Sequence, residues 1–303
     1  MNKLKLIYGN HWNFGIVVAD TLSMYKCAAL ELGIQASIEK ELCLDGHNLL
    51  LENFDDDYVK KLEEFHSQGG TFSIIATELL TDDSFNQIDI AKNDSSQYGK
   101  TVYWNKRFNN FLKVAKHAKF IFHLNPQQAR NYSQLLNRKV TFLPHGYTEN
   151  FRSVIHRSPE TKDIDVLFTG SITPYRKSII DRLKKYCRVV TSDVLTASFH
   201  RDDLVARSKI CLNIRQNNEW SVFSNSRGNY HLSNNSFLLT ESCSDSCAVI
   251  DFISACKGDI VKDTLDILKD GSWELKSQHS FERYKEEMRL VDIGKDIFLS
   301  LAC

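Results

Sequence analysis

The sequence predicts an α/β protein of two Rossmann-like domains, 1–150 and 151–303, facing each other across a cleft. Three observations carry that expectation. Through the first half, short β-rich apolar runs alternate with helical patterns, as βαβ crossovers onto a parallel sheet require. A polar stretch without periodicity, "RSVIHRSPETKDI", interrupts the alternation, which restarts at "IDVLFTG". A chain of 303 residues is also long enough for two domains of ordinary size.

The elements follow in order. "LKLIYG" (4–9) reads as a buried strand, and residues 14–33 as a helix ending on Gly33. "QASIEKEL" and "HNLLLENF" come next, then a charged helix from Asp56 to His66 that stops at Gly69-Gly70. "TFSIIATELL" (71–80) is the clearest buried strand of this half. A polar loop runs to about residue 104, followed by a helix over 107–118, the strand "KFIFHL", a helix from Pro126 to Asn137 and the strand "VTFLP". After the crossover, "IDVLFTG", "RVVTSD", "KICLNI" and "SFLLTES" read as strands. The helices between them are "RKSIIDRLKKY", "RDDLVARS" and residues 225–235, and the tail from 250 is helical and amphipathic. No repeat relates the halves.

Composition removes several function classes. Hydrophobic residues make up 42% and charged ones 25%, a globular balance. Lys plus Arg and Asp plus Glu are equal at 38 each, which argues against a nucleic-acid partner. No apolar run is long enough to span a bilayer, and Met1 to Lys5 leads into a strand instead of a signal peptide. Of the 8 cysteines, only Cys243 and Cys247 lie close together, and no histidine follows at zinc-site spacing. A reducing cytoplasm fits that usage.

In open α/β sheets ligands bind outside the carboxyl ends of strands, so the loops after strands are the places to look. "FTGSITPYRKS" (168–178) stands out. Thr173 is an N-cap candidate with Pro174 at the first helical position. Gly170 allows a tight turn and close approach of a ligand to the backbone. Free amides at the helix start, with Ser171, Arg176 and Lys177, would form a donor cluster for phosphate. The bland alternative is two solvated cations, and the GxxxxGK[ST] pattern of a Walker loop is absent.

Further motifs follow in order: "ARSKICLNIRQNNEW", then "NSRGNYHLSNNSFLLTES". Together with "DVLFTGSITPYRKSIIDRLKKY" they resemble, in order and spacing, the donor-binding half of GT-B glycosyltransferases, most nearly the group-1 and CgeB-like branch. "LPHGYTENF" (143–151) is similar to the segment that closes the N-terminal domain in those enzymes. The resemblance covers the second half by motif and the first half by fold pattern. It implies transfer of a sugar from a nucleotide-activated donor to a glycan, lipid-linked or other hydroxyl acceptor. The nucleotide sugar would be the co-substrate, with no cofactor and no metal. Arg227, Tyr230 and Glu241 fall in the donor-site segment, and His145 and Gly146 on the cleft wall. Two positions depart from the pattern: Tyr230 stands where a ribose-binding glutamate is usual, and Asn235 where a glycine opens the following turn. A CMP-activated acid sugar would fit such a site equally well.

Glycosyl transfer needs the leaving phosphate neutralised and, for inversion, a base on the acceptor hydroxyl. Arg176 and Lys177 are the expected leaving-group stabilisers. The base is expected among Glu78, His11 and Asp20, with Glu78 and His11 favoured. Glu78 is a carboxylate emerging from the apolar "FSIIAT", expensive to place unless it faces a site. Asp163-Ile164-Asp165 is a D-x-D by letters, yet it precedes its strand and cannot present both carboxylates at the carboxyl end. "DDD" at 55–57 suits a helix start. A non-catalytic nucleotide- or sugar-binding module of the same fold is the competing class. Peripheral association with the inner membrane face stays open. A dinucleotide-binding oxidoreductase is disfavoured, because Gly9 and Gly15 lack the middle glycine of the fingerprint.

Overall fold

The computed structural model describes residues 3–9, 11–81, 84–86, 100–243 and 248–302. Cys247 and Cys303 lie outside them. The chain divides into two compact units, Met1–Pro144 with Gly294–Cys303, and His145–Ile293.

The first unit opens with β1 (Lys3–Ile7), a 3₁₀ stretch at Trp12–Val18, and α1 (Ala19–Glu31). The sequence predicts one continuous helix here. Gly15, at φ 75°, instead sits in the left-handed region, which suits a tight turn better than an α-helix. Next come β2 (Gln35–Glu39), β3 (His47–Leu51), α2 (Asp56–Ser67) and β4 (Phe72–Ala76). α2 starts on Asp55, whose side chain accepts from the Tyr58 amide, and it buries Tyr58, Val59, Leu62 and Phe65 at helical spacing. The expected long strand over 71–80 ends at Ala76. A short antiparallel ribbon follows, β5 (Leu80–Thr81) with β6 (Ser84–Phe85).

α3 (Thr101–Ala115) begins earlier than its sequence suggests. Trp104, Phe108, Phe111 and Ala115 lie on one buried face, so tertiary burial outweighs the weak helix propensity of "TVYW". β7 (Ile121–His123), α4 (Pro126–Leu136) and β8 (Thr141–Phe142) complete the sheet. Its order is β2-β1-β3-β4-β7-β8, parallel throughout. β3 and β4 are buried at every residue, which is why "HNLLL" and "FSIIA" are apolar runs without alternation. Phe85, Phe111 and Tyr132 pack ring on ring beneath them.

The second unit repeats the plan with β9 (Ile164–Thr169), α5 (Pro174–Leu183), β10 (Val189–Ser192), α6 (Ser198–Arg207) and β11 (Ser208–Asn213). It continues through α7 (Asn225–Ser233), β12 (Leu238–Thr240), β13 (Ser254–Ala255), α8 (Ile260–Asp270), α9 (Trp273–Glu287) and α10 (Leu290–Ile293). The parallel sheet runs β10-β9-β11-β12-β13. α11 (Lys295–Ala302) belongs to the first unit, where Phe298 packs against Tyr25 at 5.9 Å between ring centroids. Among the described residues no helix is long and apolar enough to cross a membrane.

Gly146 is a close-approach glycine. A Cβ there would lie 2.6 Å from the Met288 carbonyl oxygen, where the Tyr147 amide donates to that same oxygen at 2.7 Å. The obstacle is backbone and cannot rotate away. Gly146→Ala is therefore expected to lower stability by about 1–3 kcal/mol in urea unfolding, the usual range for overpacking.

Candidate functional site

Each sheet reverses its strand order once, and the crevice outside the carboxyl ends at such a reversal is where open α/β folds bind ligands. In the second unit β9 lies between β10 and β11, so the loops after β9 and β11 flank the crevice. In the first unit β1 lies between β2 and β3, so the loops after β1 and β3 do.

In the second unit the crevice holds two arginines. Gly170 ends β9 at φ 132°, and a Cβ there would lie 3.0 Å from Arg227 Nη2, so glycine makes the room that Arg227 occupies. Arg227, in the first turn of α7, donates to Asn213 Oδ1 at 2.5 Å and to the Thr169 carbonyl at 3.0 Å. Arg176, in the first turn of α5, donates through Nε to the Ile214 and Arg215 carbonyls, both at 3.1 Å. Its Nη1 donates to the Ser171 carbonyl at 2.9 Å. Both guanidiniums lie by the Phe168 ring, at 5.3 and 5.8 Å from its centroid.

Neither arginine forms an ion pair with a described residue. Burial lowers each to about 10, and for Arg227 the charge of Arg176 adds to the effect. A guanidinium has five N–H groups, and Arg176 Nη2 and Arg227 Nε make no hydrogen bond to a described residue. Two adjacent, desolvated cations with donors in reserve are the arrangement that a bound anion neutralises.

The helix amides contribute less than the sequence predicts. Pro174 has no N–H, the Arg176 amide is capped by Thr173 Oγ1 at 3.3 Å, and the Lys177 amide donates to the Thr173 carbonyl. α7, in contrast, starts at Ser224 with no side-chain cap. Ser171 is exposed, and its carbonyl holds Arg176. Lys177 points away from the pair, exposed and bonded to Asp181 at 2.5 Å. Tyr230 points elsewhere too: its hydroxyl donates to Asp202 Oδ1 at 2.6 Å, and Arg201 covers its ring at 4.1 Å.

Glu241 extends from β12 to the loop after β11. Its Oε1 accepts from the Tyr175 hydroxyl at 2.5 Å and its Oε2 from the Arg215 amide at 2.6 Å. That fixes the loop whose carbonyls hold Arg176. His145 is fully buried, so its imidazole is pushed down to about 3, and its Nε2 meets Ser226 Oγ at 3.1 Å in the first turn of α7. The structure thus brings together Gly170, Ser171, Arg176, Arg227 and Glu241, and ties His145 to the same helix start through Ser226, whereas Gly146 packs against Met288 and Leu290. Lys177 and Tyr230 are outside the group. Phe168, Asn213 and Arg215 are part of it and were not foreseen; Asn213 and Arg215 follow the apolar run "KICL", a signal the sequence did contain.

The first unit holds a charged cluster at its own strand ends. Arg107, from α3, clamps Glu52 through Nε at 2.9 Å and Nη2 at 2.7 Å, and its Nη2 also meets Glu78 Oε1 at 2.7 Å. Asn86 Nδ2 donates to Glu78 Oε2 at 2.5 Å. Burial works against every charge here. It pushes the Glu52 carboxyl up to about 7 in spite of Arg107. It also raises Glu78, but Arg107, Asn86 and His11 together hold Glu78 below its ordinary value. His11 is lowered to about 4, first by burial, then by Arg107, with Glu78 opposing, so its imidazole is neutral at pH 7. Its buried Nδ1 has no partner among the described residues. Asp20, half-buried in the first turn of α1, is not among the groups acting on His11 or Glu78.

Glu52 and Arg107 were missed. Glu52 leaves the apolar "HNLLL" as Glu78 leaves "FSIIAT", and Arg107 lies on the buried face of α3. Asp163 and Asp165 meet cations instead of each other, at Arg207 and Lys209, both at 2.7 Å. Among the described residues no group of three or more His, Cys, Asp or Glu is placed to hold a metal ion.

No family model and no curated protein matches the sequence. Solved structures match the fold. Anabaena HepE in complex with UDP aligns over 100% of both chains, at 10% identity and a TM-score of 0.53. The N-terminal domain of Candida albicans trehalose-6-phosphate phosphatase aligns over 99% of this chain and 97% of its own, at 10% identity and a TM-score of 0.51. The likeness is one of fold, and the fold class expected from the sequence holds: two Rossmann-like units of the GT-B type.

Proposed function

We propose that the protein is a glycosyltransferase, moving a sugar from a nucleotide-activated donor to a hydroxyl of a glycan, lipid-linked or other acceptor, without metal or cofactor. The carrying observation is the Arg176–Arg227 pair at the switch point of the second sheet, two desolvated guanidiniums that form no ion pair with a described residue, Glu241 acting on Arg176 only from beyond contact. Positioned cations stabilise a leaving diphosphate as negative charge develops on it. HepE, which shares the fold, is in complex with UDP, and that supports a nucleoside diphosphate as the class of ligand. The motifs of the second half favour the group-1 and CgeB-like branch. Work at the inner face of a membrane, from the cytoplasm, belongs to the same proposal.

For the base, His11 is preferred over Glu78. Glu78 is engaged by Arg107 and Asn86, whereas His11 is neutral with a vacant Nδ1. Glu78 then balances the imidazolium that forms. With a His11 pKa of about 4 in the free protein, the imidazole is unprotonated, as a base must be, at pH values above that one. His11→Ala is expected to lower turnover about 10²-fold, the small end for general-base catalysis, and to leave nucleotide binding intact.

The reading is tested by thermal titration with UDP, GDP, ADP, dTDP and CMP, each with and without EDTA. A nucleotide at a hundred times its dissociation constant adds about 2.7 kcal/mol. One diphosphate stabilising the protein regardless of EDTA supports the proposal. CMP alone doing so points to a CMP-activated acid sugar, which the departures at Tyr230 and Asn235 also accommodate. Binding without any turnover leaves a non-catalytic module, and no response to any nucleotide removes the donor site.

A further inference from the structure

Asn213 and Thr240 face each other in register at the carboxyl ends of β11 and β12. Both are buried, Asn213 at 4% and Thr240 at 0% exposure. A polar side chain in such a place is tolerated when its hydrogen bonds are made inside the protein. Here they are made, and they all run in one direction.

The chain of bonds starts at Arg227. A guanidinium only donates, and its Nη1 donates to Asn213 Oδ1 at 2.5 Å. Asn213 Nδ2 donates in turn to Thr240 Oγ1 at 2.8 Å, and Thr240 Oγ1 donates to the Glu241 carbonyl at 3.0 Å. The order of donors decides how the amide sits. With its one proton committed to a carbonyl, the Thr240 hydroxyl is left as an acceptor. It therefore takes the NH₂ side of Asn213 and turns Oδ1 towards the arginine. With the amide reversed, Nδ2 would meet the guanidinium, donor against donor.

Arg227 has one other acceptor among the described residues, the Thr169 carbonyl at 3.0 Å. That carbonyl belongs to the backbone of β9, held in register with Ser192 of β10. Asn213 instead offers a side chain that can rotate, and its grip on Arg227 is as firm as the bond at its other end. Thr240 makes that bond. It also precedes Glu241, whose carboxylate holds the Tyr175 hydroxyl and the Arg215 amide on the Arg176 side. The end of β12 thus braces both cations.

We propose that Thr240 is a positioning residue of the donor site: its hydroxyl, acting through Asn213, sets the direction in which Arg227 presents its guanidinium to the anion. The proposal rests on the donor reading above. Thr240 has no exposed surface, so it cannot itself touch a nucleotide, and the hydrogen-bonded route from it leads to Arg227. Valine keeps the β-branched shape and lacks only the hydroxyl, whereas serine keeps the hydroxyl and lacks the methyl.

The test is a double-mutant cycle on UDP affinity, read by isothermal calorimetry of the full chain. Thr240→Val is expected to weaken UDP about tenfold, Arg227→Ala about 10–100-fold, and Thr240→Val added to Arg227→Ala no further. Thr240→Ser is expected to bind UDP like the wild type, a rescue that a role in packing alone would not produce. Asn213→Ala cuts the chain one bond nearer the arginine and carries the same expectations as Thr240→Val, so the test holds even where the valine variant does not fold. A loss that persists undiminished without Arg227, unchanged affinity in Thr240→Val or Asn213→Ala, or a serine variant as weak as the valine one would overturn the positioning role and leave the donor reading standing. A wild type that does not bind UDP, or an Arg227→Ala variant that binds it equally well, would remove the donor reading and this proposal together.

Discussion

The double variant Arg176→Ala/Arg227→Ala is expected to bind UDP about 10²–10⁴-fold more weakly than the wild type, with little change in the stability of the free protein. A hydrogen bond to a charged group is worth about 1.5–3 kcal/mol, and each guanidinium has donors not engaged by described residues. The loss should appear in calorimetry with and without EDTA alike. The apo protein should tolerate the change because the two cations repel: burial and Arg176 together already lower Arg227 to about 10. Removing both relieves that repulsion, and the space vacated by two side chains that are partly exposed lets water reach Asn213 Oδ1 and the four freed carbonyls. Lys177→Ala is the control. Its ammonium is 66% exposed and pairs with Asp181, so UDP affinity should not move. A variant pair that binds UDP like the wild type would place the nucleotide elsewhere.

Arg107→Met should damage the first unit more than any surface change. Glu52 and Glu78 share that one guanidinium, and Glu52 is wholly buried. Taking away one partner of a buried ion pair costs about 3–5 kcal/mol, since the remaining charge has neither water nor counter-charge. The deficit should depend on pH with a definite sign. Without Arg107, burial raises both carboxyls, so the folded variant binds more protons than the unfolded chain and its stability falls as pH rises. Urea unfolding at pH 5 and pH 8 should therefore show a smaller deficit at the lower value. The wild type already carries part of this behaviour through Glu52: with a folded pKa of about 7, its contribution is complete below the ordinary carboxylate value and declines as pH rises towards 7. A deficit independent of pH would mean that Glu52 and Glu78 are not the groups left unpaired.

The helix start at Thr173–Pro174 was legible because a cap is a local device, one side chain on an amide three residues away. The buried strands "FSIIA" and "KICLN" were legible for a similar reason, as apolar runs of strand length. Arg107 was not legible as an ion-pair partner, because Glu52 is 55 positions earlier and only the order β3-β4 sets Glu52 and Glu78 at adjacent strand ends. Arg176 and Lys177 look alike as letters. A helix turns about 100° per residue, so one lies over Phe168 and the other in solvent.

Periodicity, caps and the twofold run of strands and helices belong to neighbours along the chain, and they were enough for an α/β fold in two Rossmann-like units. Which cations lack an acid, which histidine is stripped of water and which carboxylates share one arginine are properties of long-range packing. Electrostatic energy depends on distance and burial in space. The letters carry those only after the sheets have chosen their strand order.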